Sequence, residues 1–400
     1  IRDKKEAELK LKDGETNTVY FKVKAPENKE SGSHTIEFSA KNSQFEDTVE
    51  ISFPIKQNVT YEAVATANYT TNLTAHEYVW LPENVLRDKG GVEVKAAATL
   101  ADTLPDALEY LVQYPYGCTE QLISKLSAVA TVKRLSQVKN FGEKLKLASV
   151  EFEGRSYSAD EVLEIGLARI MANQTYEGGF AYYSNMRPDY YLTLHVLNVL
   201  TQIKQAGYKI DDAAQTRAAK YIYQAFNNDF YLNSNKDTLI LTAYALSGVA
   251  GARAEFDALM PRIRALENDA KFINEDISNL SLTYLALLLS HANFVAFQQK
   301  VFGILENRVV VDGRGAYLAT NRDDYLWAYY ETPIKDTALL IKAMALARRE
   351  YPFTSNLIRF VKNSRFKDGA WGSTNNTQAV LDALVDYLTW KQEIESNFSL

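Results

Sequence analysis

Tyr114-Pro115-Tyr116-Gly117-Cys118-Thr119-Glu120-Gln121 holds the only cysteine of the 400 residues and sets a glutamine three positions after it. Upstream, residues 1 to about 66 alternate apolar and polar. Downstream, from about Thr103 to about Trp390, apolar residues recur at helical spacing. The octapeptide stands just inside that change and reads as the start of a helix, with Leu122, Leu126, Val129 and Val132 forming the stripe that follows it. A thiol and a primary amide across one tight turn are pre-oriented, and effective molarities of ~10⁵–10⁸ M are accessible to such intramolecular attack. A helix N-terminus lowers a thiol pKa, which favours the thiolate. Attack of the Cys118 sulfur on the Gln121 side-chain carbonyl, with loss of ammonia, leaves an internal thioester.

The helical part predicts repeated units. Glu177-Gly178-Gly179-Phe180-Ala181-Tyr182-Tyr183, Gly315-Ala316-Tyr317 and Asp368-Gly369-Ala370-Trp371-Gly372 each put glycine and aromatic residues in a loop just before a helix, with Asp229-Phe230-Tyr231 as a degenerate copy. Such hairpins cannot bury an apolar face alone, and closing them into a ring gives an α/α toroid. Asp160, Asp211-Asp212, Asp237-Thr238, Asp336-Thr337 and Asn376-Thr377 read as helix caps. In the first 66 residues, period-two runs broken at Asp13-Gly14 and Ser31-Gly32-Ser33 predict four or five antiparallel strands with one buried face, too few to close a sandwich. The chain is therefore expected to be a piece of a longer protein.

Composition excludes several function classes. A net charge of −6, with both signs mixed along the chain, argues against nucleic acid or an anionic membrane as partner. One cysteine and four scattered histidines (His34, His76, His195, His291) give no metal-ligand spacing, and no local signature makes Cys118 part of a Cys-His hydrolase. His195 lies in an apolar run, where a hydrogen-bonded packing role is the commoner one. No cofactor is expected.

Pro115-Tyr116-Gly117-Cys118-Thr119-Glu120-Gln121 resembles the thioester motif of the α2-macroglobulins and complement thioester proteins, and Tyr114 with Thr119 looks most like the bacterial branch. Gly178-Gly179-Phe180 through Tyr208, and Trp371-Gly372-Ser373-Thr374 with Thr377-Gln378-Ala379, resemble further segments of that family. The resemblance implies a mainly α chain. Residues 1–58 would be the C-terminal part of a macroglobulin-like β-sandwich, 59–102 a CUB-like β segment, 103–390 the α/α toroid thioester domain, and 391–400 the start of the returning CUB-like segment. It further implies a single-turnover protease inhibitor rather than an enzyme. After a bait segment elsewhere is cut, the Cys118–Gln121 thioester would be opened by a lysine amine of the proteinase.

Water hydrolyses an exposed thioester, so the bond needs a shield. Tyr114 is the expected lid with Tyr116 as the other choice, Pro115 stiffens the turn, Gly117 allows close backbone approach, and Glu120 comes with the motif. The remaining domains of the full protein would be its partners. The bacterial periplasm or cell envelope, with a lipid anchor on a preceding N-terminus, would be its place. Two alternatives belong to other classes. One is a non-covalent scaffold in which the pair never reacts. The other is a toroid carbohydrate-active enzyme using acids such as Asp189, Asp312, Asp323, Asp324 and Glu331.

Overall fold

The computed structural model describes residues 6–24, 32–56, scattered positions between 69 and 94, 99–114, 117–136, 150–152, 155–269, 271–272, 277–292, 294–320 and 331–392. The chain divides into two units, residues 1–64 with 84–91, and residues 65–83 with 92–400.

In the first unit, β1 (Gly32–Lys41) pairs antiparallel with β2 (Glu46–Ile55). Ile36 faces Ile51 and Phe38 faces Val49, so the apolar alternation falls in register across the ladder. Phe21 adds its ring 6.2 Å from that of Phe38. Two corrections follow. Residues 6–24 take no strand, so the described residues of this region hold two strands rather than four or five. The expected buried face is open as well: Phe38, Val49, Ile51 and Phe53 all remain exposed, because a hairpin alone has no second layer to cover it. Of the CUB-like pieces, 393–400 and much of 59–102 lie outside the described residues, Lys391 is still helical, and residues 91–94 take no strand.

The second unit is built from helices. In chain order they are α1 (Leu104–Gln113), α2 (Thr119–Ser136), α3 (Ala159–Ala172), α4 (Tyr190–Gln205), α5 (Asp212–Asn228), α6 (Phe230–Ser234), α7 (Lys236–Ser247), α8 (Arg253–Ala265), α9 (Asn279–Ala292), α10 (Val295–Arg308), α11 (Pro333–Ala347), α12 (Thr354–Asn363) and α13 (Thr374–Lys391). Two small hairpins, β3 (Val150–Phe152) with β4 (Arg155–Tyr157) and β5 (Val309–Asp312) with β6 (Gly315–Leu318), interrupt them.

Packing closes a circle. Helix α2 lies against α4, α4 against α7, α7 against α9, α9 against α11, α11 against α13, and α13 returns to α2. Outside this inner ring, α3, α5, α8, α10 and α12 back α2, α4, α7, α9 and α11, while α1 leans on both α2 and α13. The result is the α/α toroid. Outer helices show one apolar stripe, as in α12, where Leu357, Ile358 and Val361 are buried. Inner helices are covered all round. In α11 every residue from Ile334 to Ala345 is buried, and in α13 every residue from Thr374 to Leu388.

The repeated loops have a common physical basis. An early threonine on an inner helix accepts a hydrogen bond from a backbone N–H in the loop before it: Phe180 N to Thr193, Leu318 N to Thr337 and Trp371 N to Thr377, at 2.9, 3.1 and 3.0 Å. Each loop also carries a glycine with positive φ pressed onto an outer helix. A Cβ on Gly178, Gly315 or Gly369 would stand 2.6 Å from the Arg217 carbonyl, 2.5 Å from the Asn356 carbonyl and 2.7 Å from the Asp106 Cβ, respectively. Asp229-Phe230-Tyr231 does not repeat this. It opens the short helix α6 and leaves both aromatic rings exposed.

Asp211 caps α5 as expected, but the other caps fall elsewhere. They are Ser158 for α3, in a capping box with Glu161, Asn235 for α7, Thr332 for α11 and Ser373 for α13. Asp237 and Asp336 instead point inward. Asp237 accepts from the backbone N–H and hydroxyl of Ser278 at 2.9 and 2.8 Å.

Candidate functional site

The link between α1 and α2 runs from Tyr114 to Cys118, with Pro115 and Tyr116 outside the described residues. Cys118 occupies the cap position of α2, because its carbonyl accepts the helix bond from the Leu122 N–H at 2.9 Å. Gln121 is then the third helical residue. Its side-chain oxygen reaches back to accept from the Cys118 N–H at 3.3 Å. This is half of a capping box, with cysteine where serine or threonine usually stands. The Cys-x-x-Gln spacing thus has a structural cause, since a third-residue amide can fold back onto the backbone N–H of the cap residue.

Cys118 is buried. Burial pushes its thiol pKa up, and the negative field of Glu120 adds to that, against the opposing pull of hydrogen bonds from backbone amides, that of Gln121 foremost. The expected lowering by the helix end is therefore overturned: losing water costs the thiolate more than the helix terminus returns to it.

Thr119 anchors the helix start to the loop of the first repeat. Its N–H donates to the Tyr182 carbonyl at 3.0 Å, its hydroxyl donates to the Ala181 carbonyl at 2.6 Å, and Asn173 Nδ2 donates to that hydroxyl at 2.9 Å. Glu120 points inward and is buried. Its carboxyl group accepts from Ser124 Oγ at 3.0 Å and from Thr374 Oγ1 at 3.0 and 3.1 Å, which joins α2 to the first residue of α13. Burial raises its pKa, and those two hydroxyls pull it partly back.

His195 of α4 lies beside this group, with Nε2 3.3 Å from Ser124 Oγ and 4.0 Å from Glu120 Oε1, and with the Asn375 amide 3.4 Å from its ring nitrogens. Burial, helped by the positive Lys335, lowers its pKa to about 3, so the imidazole is neutral. Lys335 is itself brought down to about 8 by burial, against the pull of Asp336, Glu120 and Glu331.

Sequence reasoning places His195 in a packing role, and its hydrogen bonds fit that, but its place next to the motif is new. So are Ser124, Thr374, Asn375 and Lys335 as neighbours. The one local signal is Glu120 and Ser124 at i and i+4, which share a helix face. Of the shielding residues, Tyr114 is half-buried with its ring 5.6 Å from that of Tyr110. Gly117 is exposed, and an added Cβ would meet nothing within 4 Å beyond its own chain neighbours.

Three of the five acids of the carbohydrate alternative are described, and each has a structural partner of its own. Asp189 caps α4, Asp312 pairs with Arg314 in an exposed turn, Asp323 and Asp324 lie outside the described residues, and Glu331 faces Asp336. Among the described residues, no group of three or more His, Cys, Asp or Glu side chains could hold a metal ion, and no helix is long and apolar enough to cross a membrane.

A family model described as the A-macroglobulin TED domain matches residues 92–387. The chain belongs to that A-macroglobulin family. Its relatives include the α2-macroglobulin of Thermotoga maritima, 22% identical over 271 residues (64% of this chain, 15% of the relative). That of Escherichia coli K12 is 23% identical over 347 residues (84% of this chain, 20% of the relative). Among solved structures, native E. coli α2-macroglobulin matches with a TM-score of 0.51 at 18% identity, covering 90% of this chain and 22% of that one. Salmonella α2-macroglobulin reacted with methylamine matches with a TM-score of 0.51 at 18% identity, covering 89% and 22%. This macroglobulin chain thus spans about a fifth or less of the curated relatives it matches.

Proposed function

We propose that Cys118 and Gln121 form an internal thioester, and that the longer protein uses it to trap proteinases covalently. The observation that carries this reading is the Gln121 side-chain oxygen on the Cys118 N–H, with a buried thiol on the same residue. In closure, the Sγ–C bond forms as the C–N bond of the amide breaks, and the thiol proton leaves with the departing ammonia. In trapping, a lysine amine of the proteinase attacks the Gln121 carbonyl, an amide forms, and Cys118 regains its proton as a free thiol. Each molecule reacts once. Methylamine, the reagent used on the Salmonella relative, is the smallest amine that fits this step. A bacterial periplasm or envelope setting accords with the bacterial relatives.

Intact mass spectrometry tests this. Fresh protein is expected to be one ammonia lighter than its sequence mass, and methylamine should add its own mass while releasing one titratable thiol. Full sequence mass with a thiol free from the start, in both this chain and the full-length protein, would leave a non-covalent scaffold.

A further inference from the structure

Thr119 and Glu120 stand between the two reactive residues, as the first and second helical positions of α2. A serine or threonine at the cap would close such a helix start with its own oxygen, but the Cys118 sulfur is a weak acceptor. The first turn is held from outside instead. Thr119 is fully buried, and its backbone N–H, which has no partner within the helix, donates to the Tyr182 carbonyl at 3.0 Å. Its hydroxyl works in both directions, donating to the Ala181 carbonyl at 2.6 Å and accepting from Asn173 Nδ2 at 2.9 Å.

Asn173 is the hub of this clamp. It ends α3 and meets the loop of the first repeat at two further points: its carbonyl accepts from the Ala181 N–H at 3.1 Å, and its Oδ1 accepts from Ser184 Oγ at 2.9 Å. The loop is anchored in turn. Phe180 is fully buried, its N–H donates to Thr193 Oγ1 at 2.9 Å, and its carbonyl accepts from the Asp189 N–H at 2.9 Å, both at the start of α4. In this repeat the loop therefore does more than meet its own inner helix. It also moulds the first turn of the neighbouring one, α2, between the thiol and the amide.

We propose that Thr119 and Asn173 are positioning residues for closure of the thioester: their clamp fixes the first turn of α2 against the loop and keeps Gln121 folded back on Cys118 while the bond forms. This rests on the thioester reading above. Neither side chain takes part in the exchange, in which the Sγ–C bond forms, the amide C–N bond breaks and the thiol proton leaves with ammonia. What the clamp sets is the share of time that thiol and amide spend in reach, on which an intramolecular reaction depends. Closure then makes the clamp dispensable, because the covalent ring through residues 118–121 holds the turn by itself. The clamp accordingly governs how fast the bond forms and leaves untouched how fast an amine opens it.

The test samples full-length protein at intervals after cell-free synthesis, with intact mass counting the molecules that have lost ammonia, and then follows thiol release by methylamine in the closed fraction. Thr119→Val keeps the branched shape without the hydroxyl and is expected to close about tenfold more slowly, Asn173→Ala about two- to tenfold more slowly. Thr119→Ser, which restores the hydroxyl, should close near the wild-type rate. Once closed, all three should react with methylamine as wild type does. Thr337→Val removes a hydroxyl that accepts from the corresponding loop of another repeat, far along the chain from the reactive pair, and should melt lower yet close at the wild-type rate. Wild-type closure in both Thr119→Val and Asn173→Ala would overturn the clamp while leaving the thioester reading intact. Equal slowing by Thr337→Val would also overturn it, since general loss of stability would then be the cause, and so would faster opening by methylamine in the Thr119 and Asn173 variants. Should Thr119→Val not fold, Asn173→Ala decides, since it leaves Thr119 its bond to Ala181. Full sequence mass in wild type would remove both readings together.

Discussion

Gln121 Oε1 stands 3.3 Å from the backbone nitrogen of Cys118, in the position from which a third helical residue caps the first turn. The contact serves two purposes that a single substitution separates. Gln121→Glu keeps an oxygen for the Cys118 N–H and adds negative charge at a helix N-terminus, which is worth about 0.3–1 kcal/mol. It removes the nitrogen whose departure closes a thioester. The variant should melt at or slightly above the wild-type temperature, yet show full sequence mass and no methylamine adduct. A methylamine adduct on Gln121→Glu protein would sink the assignment of Gln121 as acyl donor.

The Asp336 and Glu331 carboxyl groups face each other in the interior at the start of α11. Burial raises the Asp336 pKa well above the usual carboxylate range, and the neighbouring Glu331 raises it further while Lys335 pulls it down. A folded-state value above the unfolded one, near 3.9, means the folded chain binds the extra proton. The stability gained is complete below about pH 4 and is lost as pH rises through the folded value. Asp336→Asn keeps a hydrogen-bond donor toward Glu331 at every pH. Scanning calorimetry should find it about 2–4 °C more stable than wild type at pH 8 and indistinguishable at pH 4. Equal melting at pH 8 would mean that the two carboxyls do not share a proton.

The ring is legible in the sequence because its causes are local. Glycine with positive φ, a loop N–H waiting for an acceptor and a threonine early in the next helix recur close together in the chain, three times over. The reactive pair is legible for the same reason, since three positions suffice to define a cap and its partner. What lies behind the pair is not local. Glu120 meets Thr374 across 254 positions and His195 meets Asn375 across 180, and neither pair leaves a periodic trace. Asp237 and Asp336 read as caps because an acid before an apolar run looks alike whether it closes the helix end or, elsewhere in the same first turn, faces the interior. The raised thiol pKa is illegible as well, since it depends on how much of the ring covers Cys118.

At the other end of the inner helices, Lys342, Asp382, Asp386 and Arg134 form a buried ion cluster. Lys342 Nζ lies 3.0 Å from Asp386, Arg134 Nη1 lies 2.6 Å from Asp382, Lys342 also contacts Asp382 directly, and Gln202 Nε2 donates to Asp382 at 2.9 Å. Burial works to raise the Asp382 pKa, yet Lys342 and Arg134 outweigh it and hold the value below the ordinary one. The stability this confers is present above the unfolded pKa and is lost as pH falls through the folded value. Lys342→Met leaves two buried carboxylates to a single guanidinium, a loss of about 3–5 kcal/mol for a broken buried pair. The urea midpoint at pH 7 should therefore drop clearly with unchanged slope. The difference from wild type should shrink toward pH 4, where protonation relieves the uncompensated charge. Arg134 is 16 residues along α2 from Cys118, or about 24 Å at the rise of an α-helix. The folded variant should accordingly react with methylamine at the wild-type rate. An unchanged midpoint at pH 7 would show that the cluster contributes nothing to the ring, and an altered methylamine rate would show that its two ends are coupled.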